Sequence, residues 1–323
     1  MKISHFVCAA LSTLAMMAPA SAQSDFPSRP LRILVGFGPG GASDIAARVI
    51  AQKMGEELGQ QVIVENRTGA STSIAGQAVA QSAPDGYTLF MAGNANAVNA
   101  VTGPKPPFDI LTAFTPIGAA VTSPSLLVAT PSSGIKTLKD IIDQAKANPG
   151  KVTYASAGVA ATSHLVGMLF ANTQGINLTH IPYKGSSEAM TDVLGGRVAI
   201  MFAPISTAIP LVKEGKLVAI AVTSEARDKQ LPDTPTLNEL GIKGIDLDIW
   251  QGFVVPAGTP ADRVAKLSKA MQTALKSNEL RTLLESRGMQ VVADNSPEAF
   301  IAHMKSDIAK LTPIFADNAS EKK

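Results

Sequence analysis

A short apolar strand that runs into four glycines and then into a helix constrains this chain more than any other feature. Leu31 to Val35 is brief, rich in branched residues and flanked by polar or glycine positions, which reads as a buried strand. The glycines of Gly36-Phe37-Gly38-Pro39-Gly40-Gly41 let the backbone turn tightly and come close to whatever lies above it. From Ser43 a helical period takes over, with Ile45, Val49, Met54 and Leu58 on one stripe and Gly59 as the stop. Strand, turn and helix start aim free backbone N–H groups at one spot, with the positive end of a helix behind them. That spot favours an anion.

The same alternation continues. Gln61 to Glu65 reads as a strand, Ile74 to Gln81 as a helix, and Tyr87 to Met91 as a third strand ending in the turn Gly93-Asn94-Ala95-Asn96. This β-α-β-α-β order implies a parallel sheet with helices on its faces, and ligands of such sheets sit beyond the carboxyl ends of the strands. Val101 to Pro107 reads as loop. The apolar stretch Ile117 to Thr130, interrupted at Ser123-Pro124-Ser125, reads as a strand leaving one half of the molecule for the other. A helix over 137–147 and a strand over 152–155 then lead into Ser156-Ala157-Gly158-Val159-Ala160-Ala161-Thr162-Ser163, ahead of a helix over 164–172. This is a second permissive turn before a helix, now with hydroxyls.

Strands over 178–181, 198–202 and 217–222 alternate with helices over 186–194 and 206–214. Trp250 to Val255 reads as the strand returning to the first half, followed by helices from Pro260, Glu279 and Pro297. The expected organisation is a signal peptide over 1–22, one lobe over 23–124 and 252–323, and a second over 125–251. Two α/β lobes joined by two strands suit a cleft that closes by hinge motion.

Lys2, the apolar run Phe6 to Ala18 and Ala20-Ser21-Ala22 have the form of a cleaved secretory signal, and the run is too short to span a bilayer. Cys8, the only cysteine, would leave with it; its early position argues against a lipid anchor. The remaining chain would rely on burial rather than disulfides. Without Lys2 the 28 basic residues become 27 against 26 acidic, a net of +1, and no basic stripe with interleaved aromatics is present, which argues against nucleic acid.

Three readings of the glycine turn compete. Gly36 to Gly41 matches G-x-G-x-x-G, and Glu65 ends the next strand where a ribose-binding acid would stand, as in an exported NAD(P)-dependent oxidoreductase. Against it, Pro39 removes a backbone N–H, and Asp44 puts a negative charge where two phosphates would sit. A serine hydrolase lacks its G-x-S-x-G elbow, and His164, His180 and His303 read as packed or surface histidines. No two histidines stand at i,i+3 or i,i+4, so no metal is expected, and with the nicotinamide reading weakened by Pro39 and Asp44 no cofactor is expected either.

The third reading is capture without chemistry. Backbone N–H groups of Gly38, Gly40, Gly41 and Ala42 face Ser156, Gly158, Thr162 and Ser163 across the cleft. Each charge-assisted bond is worth about 1.5–3 kcal/mol, so four give about 6–12 kcal/mol gross. That supports affinities near micromolar, about −8 kcal/mol, after ordering costs. The full expected ligand-facing set is Phe37, Gly38, Pro39, Gly40, Gly41, Ala42, Asn94, Ser156, Ala157, Gly158, Thr162, Ser163, Phe202 and Ala203. Asp44 reads instead as a dipole-offsetting carboxylate paired with Arg48 at i+4.

Pro27-Ser28-Arg29-Pro30, the Val35 to Asp44 turn, Val64-Glu65-Asn66-Arg67, Ala83-Pro84-Asp85-Gly86-Tyr87 and Asn148-Pro149-Gly150-Lys151 resemble the Bug-type periplasmic receptors of the tripartite tricarboxylate transporter family. So do Pro182-Tyr183-Lys184-Gly185, Ala221-Val222-Thr223-Ser224, Leu231-Pro232-Asp233-Thr234-Pro235-Thr236 and Pro256-Ala257-Gly258-Thr259-Pro260. The resemblance covers nearly all of the chain beyond the signal. It implies a two-lobe type II periplasmic binding fold, acting as a monomer, that hands a small carboxylate to membrane permease subunits. It also implies that main-chain and hydroxyl groups of the two turns, with waters, hold the carboxylate. One departure is Ala203-Pro204, where many relatives carry an acidic or amide residue; that favours a plain carboxylate over an amino acid.

Overall fold

The structure is a computed structural model that describes residues 26–102, 106–245 and 247–320; the signal-peptide reading and Cys8 lie outside them. In chain order the first elements are β1 (Leu31–Val35), α1 (Ala42–Leu58), β2 (Val62–Asn66), α2 (Ser73–Ala80), β3 (Thr88–Gly93), α3 (Asn94–Val101) and β4 (Phe114–Ser123). Then come β5 (Ser125–Ala129), α4 (Leu138–Ala147), β6 (Thr153–Ser156), α5 (Thr162–Gln174), β7 (Thr179–Pro182), α6 (Ser186–Leu194), β8 (Ile200–Pro204), α7 (Ile205–Lys213) and β9 (Val218–Val222). The chain closes with β10 (Ile249–Pro256), α8 (Ala261–Lys276), α9 (Asn278–Glu285), β11 (Gln290–Val291) and α10 (Pro297–Ser320).

Two sheets result, ordered β11-β4-β10-β3-β1-β2 and β7-β6-β8-β5-β9. In the first, β1 runs parallel to β2 and β3, while β10 lies antiparallel between β3 and β4. In the second, β6 runs parallel to β7 and β8, and β5 runs antiparallel to β8 and β9. The parallel strands all end toward the space between the sheets, so the turns that follow them meet there. No helix among the described residues is long and apolar enough to cross a membrane.

Alternation along the strands builds a core on each side of each sheet. Ile33 and Val35 pack with Ala46, Ala47, Ile50 and Met54 of α1, whereas Leu34 packs on the other face with Phe90 and with Phe300 of α10. The stripe expected on α1 is shifted: Ile45 and Val49 are only half-buried, and Ala46 and Ala47 are fully buried in their place. Alanine adds little to an apolar count, yet its small side chain lets a helix settle closely on a sheet. In the second half Leu127 and Phe202 pack with Phe170 of α5, and Leu126, Met201 and Ala203 pack beneath α6 and α7.

The chain leaves the first sheet at Pro124 and re-enters it at Ile249, and Ile249 pairs with Ser123, so the two crossings lie side by side. The change of half expected at 252 therefore falls earlier, because Ile249 to Gln251 are already registered against β3 and β4. Gly93 to Asn96 is a helix start rather than the expected turn. Asn96 Oδ1 accepts from the Gly93 N–H at 3.0 Å, closing the first turn of α3 from within.

Candidate functional site

Between the sheets lies a crevice of about 50 Å³, room for a few waters at about 10–15 Å³ each. Several helices start on its wall, among them α1 at Gly41-Ala42-Ser43, α5 at Ala161-Thr162-Ser163 and α6 at Ser186. The N-caps of these three are Gly41, Ala161 and Gly185, and none supplies a side-chain hydrogen bond to the first turn. By contrast α4 and α9, which begin elsewhere, are capped by Thr137 and Ser277. An uncapped first turn leaves N–H groups without intrahelical partners and carries about half a positive charge. Among the described residues no Asp, Glu, Lys, Arg or His lines the crevice.

The turn of the first half is fixed by a buried carboxylate. Asp44 accepts from the Gly40 N–H, from Arg48 Nε and from Asn66 Nδ2, each at 2.9 Å. Burial works to raise its pKa, but these hydrogen bonds from Arg48, Gly40 and Asn66 outweigh it and hold the carboxyl below its ordinary 3.8. In the second half Ser156 Oγ lies 2.6 Å from His180 Nε2, and His180 stacks between Tyr154 and His164 at 4.9 and 4.2 Å. Burial, with His164 beside it, pushes His180 down from 6.5 to about 4, so the ring is neutral near pH 7.

Of the sequence-predicted residues, the structure brings Phe37, Gly41, Ala42, Asn94, Ala157, Thr162 and Ser163 together on the crevice wall. The others do different work. The Gly40 N–H is spent on Asp44, and the Gly158 N–H is spent on Ser156 Oγ at 3.1 Å. Gly38 and Pro39 meet the opposite half: Pro39 O accepts from Ser187 Oγ at 3.1 Å, and a Cβ on Gly185 would come within 3.0 Å of Gly38 N. Ser156 is fully buried behind the wall, and Phe202 and Ala203 point to opposite faces of β8, each into a core.

Asn94 lines the crevice yet serves the crossing strand. Its Nδ2 donates to Asp248 O and its Oδ1 accepts from the Trp250 N–H, both at 2.7 Å. Trp250 forms an apolar wall, its indole held by an N–H bond to Asp307 and by an edge contact with Phe300. Sequence reasoning missed Ser43, Thr72, Ser186 and Gln251. Gln251 Nε2 donates to Ser43 Oγ at 2.6 Å, and Asn96 Nδ2 donates to Thr72 Oγ1 at 2.9 Å. Gly185-Ser186 did carry a signal, a helix start with no capping side chain; Thr72 carried none.

The mouth is closed by contacts between the halves, Ser187 on Pro39 and the Ser71 hydroxyl on Val159 O. Outside it lies a wider cavity of about 470 Å³ that shares Phe37, Thr72 and Ala157 with the inner one.

The family model described as the tripartite tricarboxylate transporter family receptor matches residues 46–317. Protein BugT of Bordetella pertussis is 33% identical over 296 residues, covering 90% of this chain and 90% of its own. The structure of the periplasmic binding protein BugD superposes with a TM-score of 0.87 at 35% identity, covering 90% of this chain and 98% of that one. MatC from Rhodopseudomonas palustris, solved with bound malate, superposes with a TM-score of 0.86 at 30% identity, covering 90% and 99%. With its two-sheet α/β fold and a crevice ringed by uncapped helix starts, the chain belongs to the tripartite tricarboxylate transporter receptor family, among the Bug-type periplasmic solute-binding proteins.

Proposed function

We propose that the protein captures a small carboxylate between its two lobes and hands it, unaltered, to the membrane permease subunits of a tripartite transporter. It does so as a monomer in the periplasm, after removal of its signal peptide, without cofactor or catalysis. The observation that carries this reading is the meeting of uncapped helix starts, those of α1, α5 and α6 among them, on a wall with no charged side chain among the described residues. Such a wall offers N–H donors and positive potential to an anion and no general acid, base or nucleophile with an activating partner. A small dicarboxylate is the ligand class this reading favours, and the malate bound to MatC is an acid of that class. A dinucleotide is far larger than the inner crevice, and the glycine turn is packed against Gly185 and Ser187.

The test is a thermal-shift panel of malate, succinate, citrate and adipate beside NAD(H) and NADP(H). A ligand at a hundred times its Kd stabilises by about 2.7 kcal/mol, so at least one carboxylate should raise Tm by about 5 °C. The nicotinamide cofactors should leave it unchanged. A shift with a cofactor and none with any carboxylate overturns the reading.

A further inference from the structure

Two hydrogen bonds cross between the halves at the mouth, and they are reciprocal. Ser71, from the first half, donates its hydroxyl to Val159 O in the second. Ser187, from the second half, donates to Pro39 O in the first at 3.1 Å. Both acceptors are carbonyls, which can only accept, so the direction of each bond is settled. Pro39 and Val159 lie in the turns that lead into α1 and α5, one turn in each half. Neither serine lines the inner crevice, so both act from outside it.

The backbone around these contacts is strained. Ala70, Ser71 and Thr72 have φ of 44°, 50° and 76°, three consecutive left-handed residues that carry side chains. Such a run persists only where its surroundings over-determine it. Here α3 supplies the constraint: Asn99 Nδ2 donates to Ser71 O at 2.6 Å, and Asn96 Nδ2 donates to Thr72 Oγ1 at 2.9 Å. With its carbonyl tied back to α3, Ser71 sends its hydroxyl across the gap. On the far side Val159 sits between Gly158 and Ala160, at φ 132° and 66°, with its side chain 54% exposed. The carbonyl, not the side chain, is the group of Val159 that this bend puts to use.

We infer that Ser71 and Ser187 are positioning residues for capture: a two-point clasp that holds the halves shut over a bound anion and sets how slowly it leaves. When the halves part, water takes the place of each partner, so the clasp acts on release and not on first encounter. This rests on the reading of the crevice as a carboxylate site, and it adds what keeps the ligand in.

Trp250, the single tryptophan, lines the crevice and supplies the signal for the test. Stopped-flow fluorescence, with whichever of malate, succinate, citrate and adipate raises Tm most, gives kon and koff from the dependence of the observed rate on ligand concentration. Ser71→Ala and Ser187→Ala should each raise koff about fivefold, the scale of one ordinary hydrogen bond, and the double variant about twentyfold, with kon within about twofold of wild type. Ser187→Thr, which keeps the hydroxyl, should release the ligand at the wild-type rate. Unliganded melting curves establish that each variant folds, and if Ser71→Ala does not, Ser187→Ala decides. A folded alanine variant of either serine with unchanged koff, or a loss of affinity carried by kon, overturns the inference and leaves the carboxylate reading standing. A wild type that binds none of the four acids overturns both.

Discussion

Asp44 and His180 show how much single side chains shape the two turns without touching a ligand. Asp44 accepts three hydrogen bonds, one from the turn itself, and its pKa is held below 3.8. A depressed carboxylate stabilises the fold above its unfolded pKa, and that contribution is lost as pH falls through the lower folded value. Asp44→Asn should destabilise by about 2 kcal/mol at pH 7 in urea titrations, the scale of bonds to a buried charge, with the difference from wild type shrinking in acid. His180 acts over a higher range. Between pH 6.5 and about 4 the unfolded chain takes up a proton that the folded one refuses, so stability is present above 6.5 and falls toward 4. His180→Phe should flatten that part of the Tm-against-pH curve; an identical slope in the variant would refute the assignment. The pairing of Asp44 with Arg48 was readable from the i,i+4 spacing. The bond to Gly40 was not, because a list of glycines does not say which N–H groups are already engaged.

At the scale of elements, the sequence reading of strand, permissive turn and helix was sound because short branched runs and glycine stops are local signals. Helix α6 and strand β1 lie where the pattern puts them. What failed depended on long-range partners. Phe202 looks like a pocket wall by type, but the alternation of β8 turns it into the core against Phe170. Asn94 to Asn96 looks like a turn, but the Asn96 side chain closes a helix start there. The caps supply the sharpest element-level prediction. Ala161→Asp would give α5 the carboxylate cap it lacks, stabilising the unliganded protein by about 0.5–2 kcal/mol. The same carboxylate would occupy the anion position, so ligand affinity should fall at least a hundredfold. Calorimetry showing wild-type affinity in that variant would remove α5 from the site.

Across the whole molecule, the two crossings lie paired at Ser123 and Ile249, and Asn94 ties α3 to the second of them. The contacts at the mouth belong to a closed arrangement, in which a Cβ on Gly185 would press on Gly38 N at 3.0 Å. Gly185→Val should leave the unliganded Tm within about 2 °C, since its clash lies between the halves, and should weaken ligand binding at least tenfold by holding them apart. Small-angle scattering should then show no compaction on adding ligand, where wild type contracts. The two-half layout was legible because an apolar stretch broken at Ser123-Pro124-Ser125 can serve two sheets. The depth of the crevice was not, since it depends on which residues of opposite halves meet.

The most direct measurement is a crystal structure of the protein grown with the carboxylate that raises its Tm most. Carboxylate oxygens should lie within about 3 Å of the first-turn N–H groups of α1 and α5, with no charged side chain in contact. A ligand seated in the crevice but held by a lysine or arginine, away from those helix starts, would contradict that placement.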